Sequence, residues 1–157
     1  MYKRQVFGNG NAGAVRGLAY VLAPDTKKLP DLGTMIPFAT LFTDSFDVKS
    51  QAFTSGFPGA LAQDQWFAIR YEGTFEIPRD GGWQIKLESD DGAVLSIDGV
   101  KVIDNDGEHG VTSKTTLRSL KAGPHRLRLD YFQATGPVAL SLYLVERGTD
   151  VVIVGKR

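Results

Sequence analysis

WFAIRYEGTFEIP, Trp66 to Pro78, alternates apolar and polar residues along most of its length. Phe67, Ile69, Tyr71, Phe75 and Ile77 share one parity, and Arg70, Glu72, Thr74 and Glu76 share the other. Successive side chains of a strand point to opposite faces, so this pattern predicts a long strand with one face in a core and one in water. Pro78 has no N–H to offer a ladder and ends the run. After the turn Arg79-Asp80-Gly81-Gly82, Trp83, Ile85 and Leu87 alternate with Gln84, Lys86 and Glu88, which we read as the antiparallel return of a hairpin.

The same alternation extends outward. Ala93, Leu95 and Ile97 continue inward to Asp98-Gly99, a dipeptide suited to the positive φ values of a two-residue turn, and VKVID runs back as a second hairpin. His125, Leu127, Leu129 and Tyr131 alternate with Arg126, Arg128, Asp130 and Phe132, and beyond the ATGP turn Val138, Leu140, Leu142 and Leu144 form the return of a third hairpin. GLAYVL at 17–22 and VVIV at 151–154 are further strands. Many short strands at even spacing, with few helix signals, predict an all-β, mostly antiparallel sandwich or barrel. Ala23 to Gln65 carries Pro24, Pro30, Pro37 and Pro58 and no sustained period. It is read as long N-terminal loops with one short strand near Ile36 to Phe42 and a helical turn in GFPGALAQ at 56–63.

At 157 residues the chain suits a single core. Residues 1–14 are expected to form a flexible segment whose start need not be native, and residues 15–157 one domain. The 18 acidic and 18 basic side chains cancel, which leaves no net field to gather phosphate polymers, so nucleic acid is not an expected partner. No apolar run approaches the roughly 20 residues that span a bilayer, so membrane insertion is not expected. The chain has no cysteine, which excludes disulfides, thiolate catalysis and sulfur-ligated zinc.

Gly8-Asn9-Gly10-Asn11-Ala12-Gly13 matches a dinucleotide-binding spacing, yet no buried strand precedes it and no helix follows, so it reads as a linker. His109 and His125 are the only histidines and neither sits in a triad-like arrangement. His125 has core parity and is expected to be hydrogen-bonded there, while His109 is expected to cap a loop. Trp83 also has core parity. Phe132 and Tyr143 have the opposite parity, open to stacking a ligand or to packing under the second sheet or the N-terminal loops. Asp104-Asn105-Asp106-Gly107 resembles part of an EF-hand loop but lacks the later bidentate glutamate, so it reads as a turn. Asp90-Asp91-Gly92, by spacing alone, reads first as a polar turn between strands. Two adjacent carboxylates nevertheless repel unless a positive charge lies between them, and a hard cation such as calcium takes about 6 to 8 oxygen ligands of this kind.

Taken together, YEGTFEIP, GGWQIKLESDDG, LSIDGVKVIDNDG, LKAGPHRLRLDYFQ and ALSLYL resemble, in order and spacing, the PA-fourteen domain family. GLAYVL and LPDL at 29–32 resemble its opening strand and loop, so the likeness spans roughly residues 15 to 146. The resemblance implies a β-sandwich that binds carbohydrate without catalysis, in an adhesin or as an accessory domain of a carbohydrate-active enzyme. It implies that Asp90 and Asp91, joined by a cis peptide, hold Ca2+ that also meets glycan hydroxyls. A second loop completes such sites, commonly with an asparagine. The nearest equivalent here is Gln133-Ala134-Thr135-Gly136, which lacks one and makes Gln133 and Thr135 the ligand-binding candidates. The resulting expectation is an extracellular or cell-surface module of a larger protein, with a glycan or polysaccharide as partner, although no signal peptide opens this chain. The alternative is a structural or assembly domain whose aspartate pair only turns the chain.

Overall fold

The computed structural model describes residues 15–43, 46–51, 65–146 and 152–153. Eleven strands run in chain order: β1 Val15–Val21, β2 Ala39–Thr43, β3 Asp47–Gln51, β4 Phe67–Ile77, β5 Gly81–Asp90, β6 Ala93–Ile97, β7 Val100–Asn105, β8 Thr112–Leu120, β9 Gly123–Gln133, β10 Val138–Glu146 and β11 Val152–Ile153. They form two sheets, one ordered β2-β1-β4-β9-β6-β7 and the other β11-β10-β5-β8 with β3 also on β10. Every strand pairing among them is antiparallel. The all-β antiparallel sandwich expected from the alternation is the fold observed.

The parities hold while two of the three hairpins do not. Phe67, Ile69, Tyr71, Phe75, Ile77, Trp83, Ile85 and Leu87 are all buried in one core between the sheets, with Leu95, Leu129, Tyr131, Leu140 and Leu142. Yet β4 lies in the first sheet and β5 in the second, and β9 and β10 are divided in the same way. The short connections at 78–80 and 134–137 carry the chain across the core instead of back along the same sheet. A period of two is identical in both cases, because it records only which face is buried. The β6–β7 hairpin is as expected, with Asp98 at φ 52° and Gly99 at φ 82° in its two-residue turn.

Two strands were not foreseen. β8 lacks an apolar face: Thr112, Lys114, Thr116 and Arg118 lie opposite Ser89, Leu87, Ile85 and Trp83 of β5. Such charges on an edge strand discourage pairing with other chains. β3 lies within the proline-bearing stretch read as loop, and the strand expected near Ile36–Phe42 is β2, three residues later. The N-terminal linker at 8–13 and the helical turn at 56–63 fall outside the described residues.

Outside the first sheet, the long loop after β1 makes one 3-10 turn, Leu32–Thr34, whose preceding Asp31 accepts the Gly33 N–H at 3.1 Å. That loop covers a second cluster of Tyr20, Leu22, Leu32, Ala68, Phe132 and Ala134, with Leu29, Met35 and Trp66 at its margin. Phe132 thus packs beneath the N-terminal loop, which explains its outward parity. Burial of such a ring is worth roughly 1.5–3 kcal/mol and ties the loop to the sheet.

The strand registers bring eight strand ends to one rim. Asp90 lies opposite Ala139, Ser89 opposite Thr112, Ala93 opposite both Asn105 and Tyr131, and Phe67 opposite both Val21 and Gln133. The turns after β5, β7 and β9 therefore meet although up to 43 residues separate their hydrogen-bonded members.

Candidate functional site

At this rim the chain leaves β5 through Asp90-Asp91-Gly92, and the Asp90–Asp91 peptide is cis, as the resemblance implied. Gly92 is required by space rather than by φ: a Cβ there lies 2.5 Å from the Phe132 ring and 2.7 Å from the Gly107 nitrogen. The turn is stitched to β9 by Phe132 N–H donating to Gly92 O at 2.9 Å and by Asp91 N–H donating to Phe132 O at 3.3 Å. The Tyr131 hydroxyl donates to Asp90 O at 2.6 Å.

The two carboxylates are held very differently. Asp91, 4 % exposed, accepts the Ala134 N–H on Oδ2 at 2.7 Å and the His109 N–H on Oδ1 at 3.1 Å. It bridges the β9–β10 loop to the β7–β8 loop. Asp90, 7 % exposed, accepts no hydrogen bond on its carboxylate from the described residues. Its oxygens are nevertheless not fully enclosed. Burial, and then the negative charge of Asp91, push the Asp90 carboxyl up to about 6 against a smaller opposing pull from His109. Burial also raises Asp91, with the amides of Ala134 and His109 opposing it. The pair thus costs free energy when ionised and gains when a cation is taken up.

Of the loop candidates, Gln133 is fully buried, donating from Nε2 to Gly136 O at 2.8 Å with Oε1 lying 3.3 Å from the Tyr131 hydroxyl. It closes its own loop. Thr135 is exposed at the tip. The Tyr131 hydroxyl thus joins the Asp90 carbonyl to the Gln133 side chain, with Thr135 exposed on the adjoining tip. The donor set suits a hard cation, being oxygen throughout, yet among the described residues no three His, Asp or Glu side chains converge. Carboxylates of Asp90 and Asp91 would hold calcium here, and several coordination positions would be left to carbonyls, water or a ligand's hydroxyls.

Residues not singled out as site residues complete the rim. Ser89 donates to Asp91 O at 2.8 Å, and Asn105 donates to Ser89 Oγ at 3.0 Å and Thr112 O at 2.9 Å. His109 caps its loop as expected, its ring nitrogens lying 2.6 Å from Gly110 O and 2.8 Å from Asn105 O. The acidic run expected as a turn begins inside β7, with Asp104 and Asn105 ending the strand and only Asp106 and Gly107 bending away from it. Asp104 accepts the Asp106 N–H at 3.1 Å and Asp106 Oδ1 accepts the Leu29 N–H at 3.0 Å, anchoring the long loop. His125 lies at the opposite end, stacked on Phe75, with Nδ1 2.6 Å from Asp98 and Nε2 2.7 Å from Lys121 O. A cleft of about 170 Å³ lined by Glu72, Ser96, Gly99, Arg126, Leu127 and Arg128 also lies away from the aspartates.

The antiparallel β-sandwich thus brings three inter-sheet turns together at a paired-aspartate rim. The chain belongs to the PA14 domain family, whose model matches residues 15–155. Among solved structures it is similar to the PA14 domain of the antifreeze protein MpAFP, at 17 % identity and TM-score 0.74, over 92 % of this chain and 87 % of that one. It is also similar to a PA14 sugar-binding domain from an RTX adhesin, at 19 % identity and TM-score 0.73, over 92 % of this chain and 95 % of that one. A third similar structure is the epithelial adhesin 9 A domain of Candida glabrata in complex with Galb1-3GlcNAc, at 10 % identity and TM-score 0.63, over 97 % and 92 %. At these identities the likeness is one of fold. No curated protein matches the chain significantly. No helix among the described residues is long and apolar enough to cross a membrane.

Proposed function

We propose that this domain is a non-catalytic carbohydrate-binding module that meets glycan hydroxyls at the rim, with Asp90 and Asp91 holding Ca2+ and the Gln133–Gly136 loop forming the neighbouring wall. The observation that carries this reading is the asymmetric pair: Asp91 oriented by two backbone amides, and Asp90 beside it with no donor to its carboxylate among the described residues. Sugar-binding and adhesin relatives of the same fold support it. Calcium, when bound, supplies positive charge and open coordination positions that vicinal hydroxyls can fill. The protein's own contribution is to hold one carboxylate still, leave the other available and present Thr135 at the edge. A shallow polar contact of this kind gives weak affinity per site, which display on a larger extracellular or cell-surface protein multiplies.

A glycan array probed with calcium and again with chelator tests this reading. Retention with calcium, lost both in chelator and in a folded Asp91→Ala variant, is expected. Retention that survives both changes sinks the calcium-assisted mechanism, and no retention under any condition favours the assembly-domain alternative.

A further inference from the structure

Resting on that reading, we infer that Asn105 is the positioning residue of the rim, fixing Asp91 from two sides and so setting how tightly the aspartate pair takes up a divalent cation. Asn105 is 2 % exposed at the end of β7 and touches neither carboxylate through a hydrogen bond. It acts instead through two relays.

The first relay uses the side chain. Both partners of Asn105 Nδ2, Ser89 Oγ at 3.0 Å and Thr112 O at 2.9 Å, are acceptors, so the amide's two protons are committed. A serine hydroxyl has one proton. With Asn105 donating into Ser89 Oγ, that proton goes to Asp91 O at 2.8 Å and fixes the backbone of the residue. The second relay uses the main chain. Asn105 O lies 2.8 Å from His109 Nε2, where a ring N–H donating to it clamps the imidazole to the end of β7. The clamp holds the His109 N–H 3.1 Å from Asp91 Oδ1 and fixes the carboxylate. One residue thereby controls both the carbonyl and the side chain of Asp91. Outer partners that orient a ligating group typically alter metal affinity 10–100-fold when removed.

The test is calcium titration calorimetry on the intact chain and on Asn105→Asp, Ser89→Ala and His109→Ala, with melting temperatures in chelator and exchange of the His109 amide measured alongside. Asn105→Asp keeps the size but replaces the donor by an acceptor, so it breaks the first relay. Ser89→Ala and His109→Ala break one relay each with smaller effects on packing, and keep the question open to test if Asn105→Asp does not fold. Wild type is expected to take up one Ca2+, each variant to bind it about 10–100-fold more weakly, and the amide of residue 109 to exchange faster in His109→Ala than in wild type. Wild-type affinity in variants whose melting temperature alone has dropped would make these residues structural only. Tighter binding by Asn105→Asp would make position 105 a ligand and overturn the relay. No uptake by wild type removes the calcium reading itself along with this inference.

Discussion

Asp90→Asn should make the domain more stable in chelator and blind to calcium. In wild type the Asp90 carboxyl is raised from 3.8 to about 6 by burial and by Asp91. A folded-state value above the unfolded one means that the folded chain holds its proton longer. The associated stability is present below 3.8 and is lost as pH rises through about 6. At pH 7.5, without cation, the ionised group costs at most about 3 kcal/mol, since every tenfold change in proton affinity is worth about 1.4 kcal/mol. Its position at a solvent-facing rim reduces this to about 1–2 kcal/mol. Asparagine has nearly the same shape without the charge, so the variant should melt about 2–8 °C higher in chelator, given 2–4 °C per kcal/mol for a domain of this size. Calcium should raise the melting temperature of wild type by mass action and leave the variant unmoved. Thermal denaturation followed by circular dichroism at pH 5 and 7.5, with chelator and with calcium, reads all four conditions. A variant less stable than wild type in chelator, or one that keeps the full calcium response, would mean that the buried Asp90 charge is not what the cation relieves.

Gly92→Ala should cost about 1–3 kcal/mol in chemical denaturation, the range for forcing extra volume into a packed site. The added methyl meets backbone at Gly107 as well as the Phe132 ring, so a loss below about 0.5 kcal/mol counts against the tight turn described here. His125 is opposed by burial, yet the Lys121 carbonyl and Asp98 outweigh it and hold its ring above 6.5. Its contribution is therefore complete below 6.5 and fades as pH rises through the raised value, a trend that proton NMR of the ring and denaturation between pH 6 and 9 should show together and that His125→Gln should remove. Phe132→Ala should lose about 3–5 kcal/mol and loosen the long loop against proteases, because the ring underlies that loop. Unchanged proteolysis would detach the second cluster from loop anchoring.

Alternation in the sequence reports burial and nothing about which neighbour a strand pairs with. That is why Phe67 to Ile77 and Trp83 to Leu87 were legible as core faces while their division between two sheets was not. β8 was illegible for the opposite reason. As an edge strand beside β7 of the other sheet it places exposed Lys114 and Arg118 in register with Leu87 and Trp83, with Lys114 donating to Asp104 O at 2.7 Å, so no apolar stripe marks it. At the rim, Asp90 and Asp91 stand out because adjacent carboxylates are chemically conspicuous. Their supports do not. The Ala134 amide comes from 43 residues downstream and the His109 amide from 18, and a backbone N–H has no signature in a sequence. Asn105 was legible only as part of an acidic turn, because its contact with Ser89 depends on β7 of one sheet ending beside β5 of the other, which the packing of the two sheets decides.

The sharpest check on the paired-aspartate rim is a calcium titration of isotopically labelled protein followed by amide chemical shifts. Saturation at one equivalent is expected, with the largest shifts at Asp91, Gly92, His109 and Ala134 and little change around Asp80 and Lys121 at the far end. Shifts that stay flat, or that gather away from the paired aspartates, would contradict calcium binding at this rim.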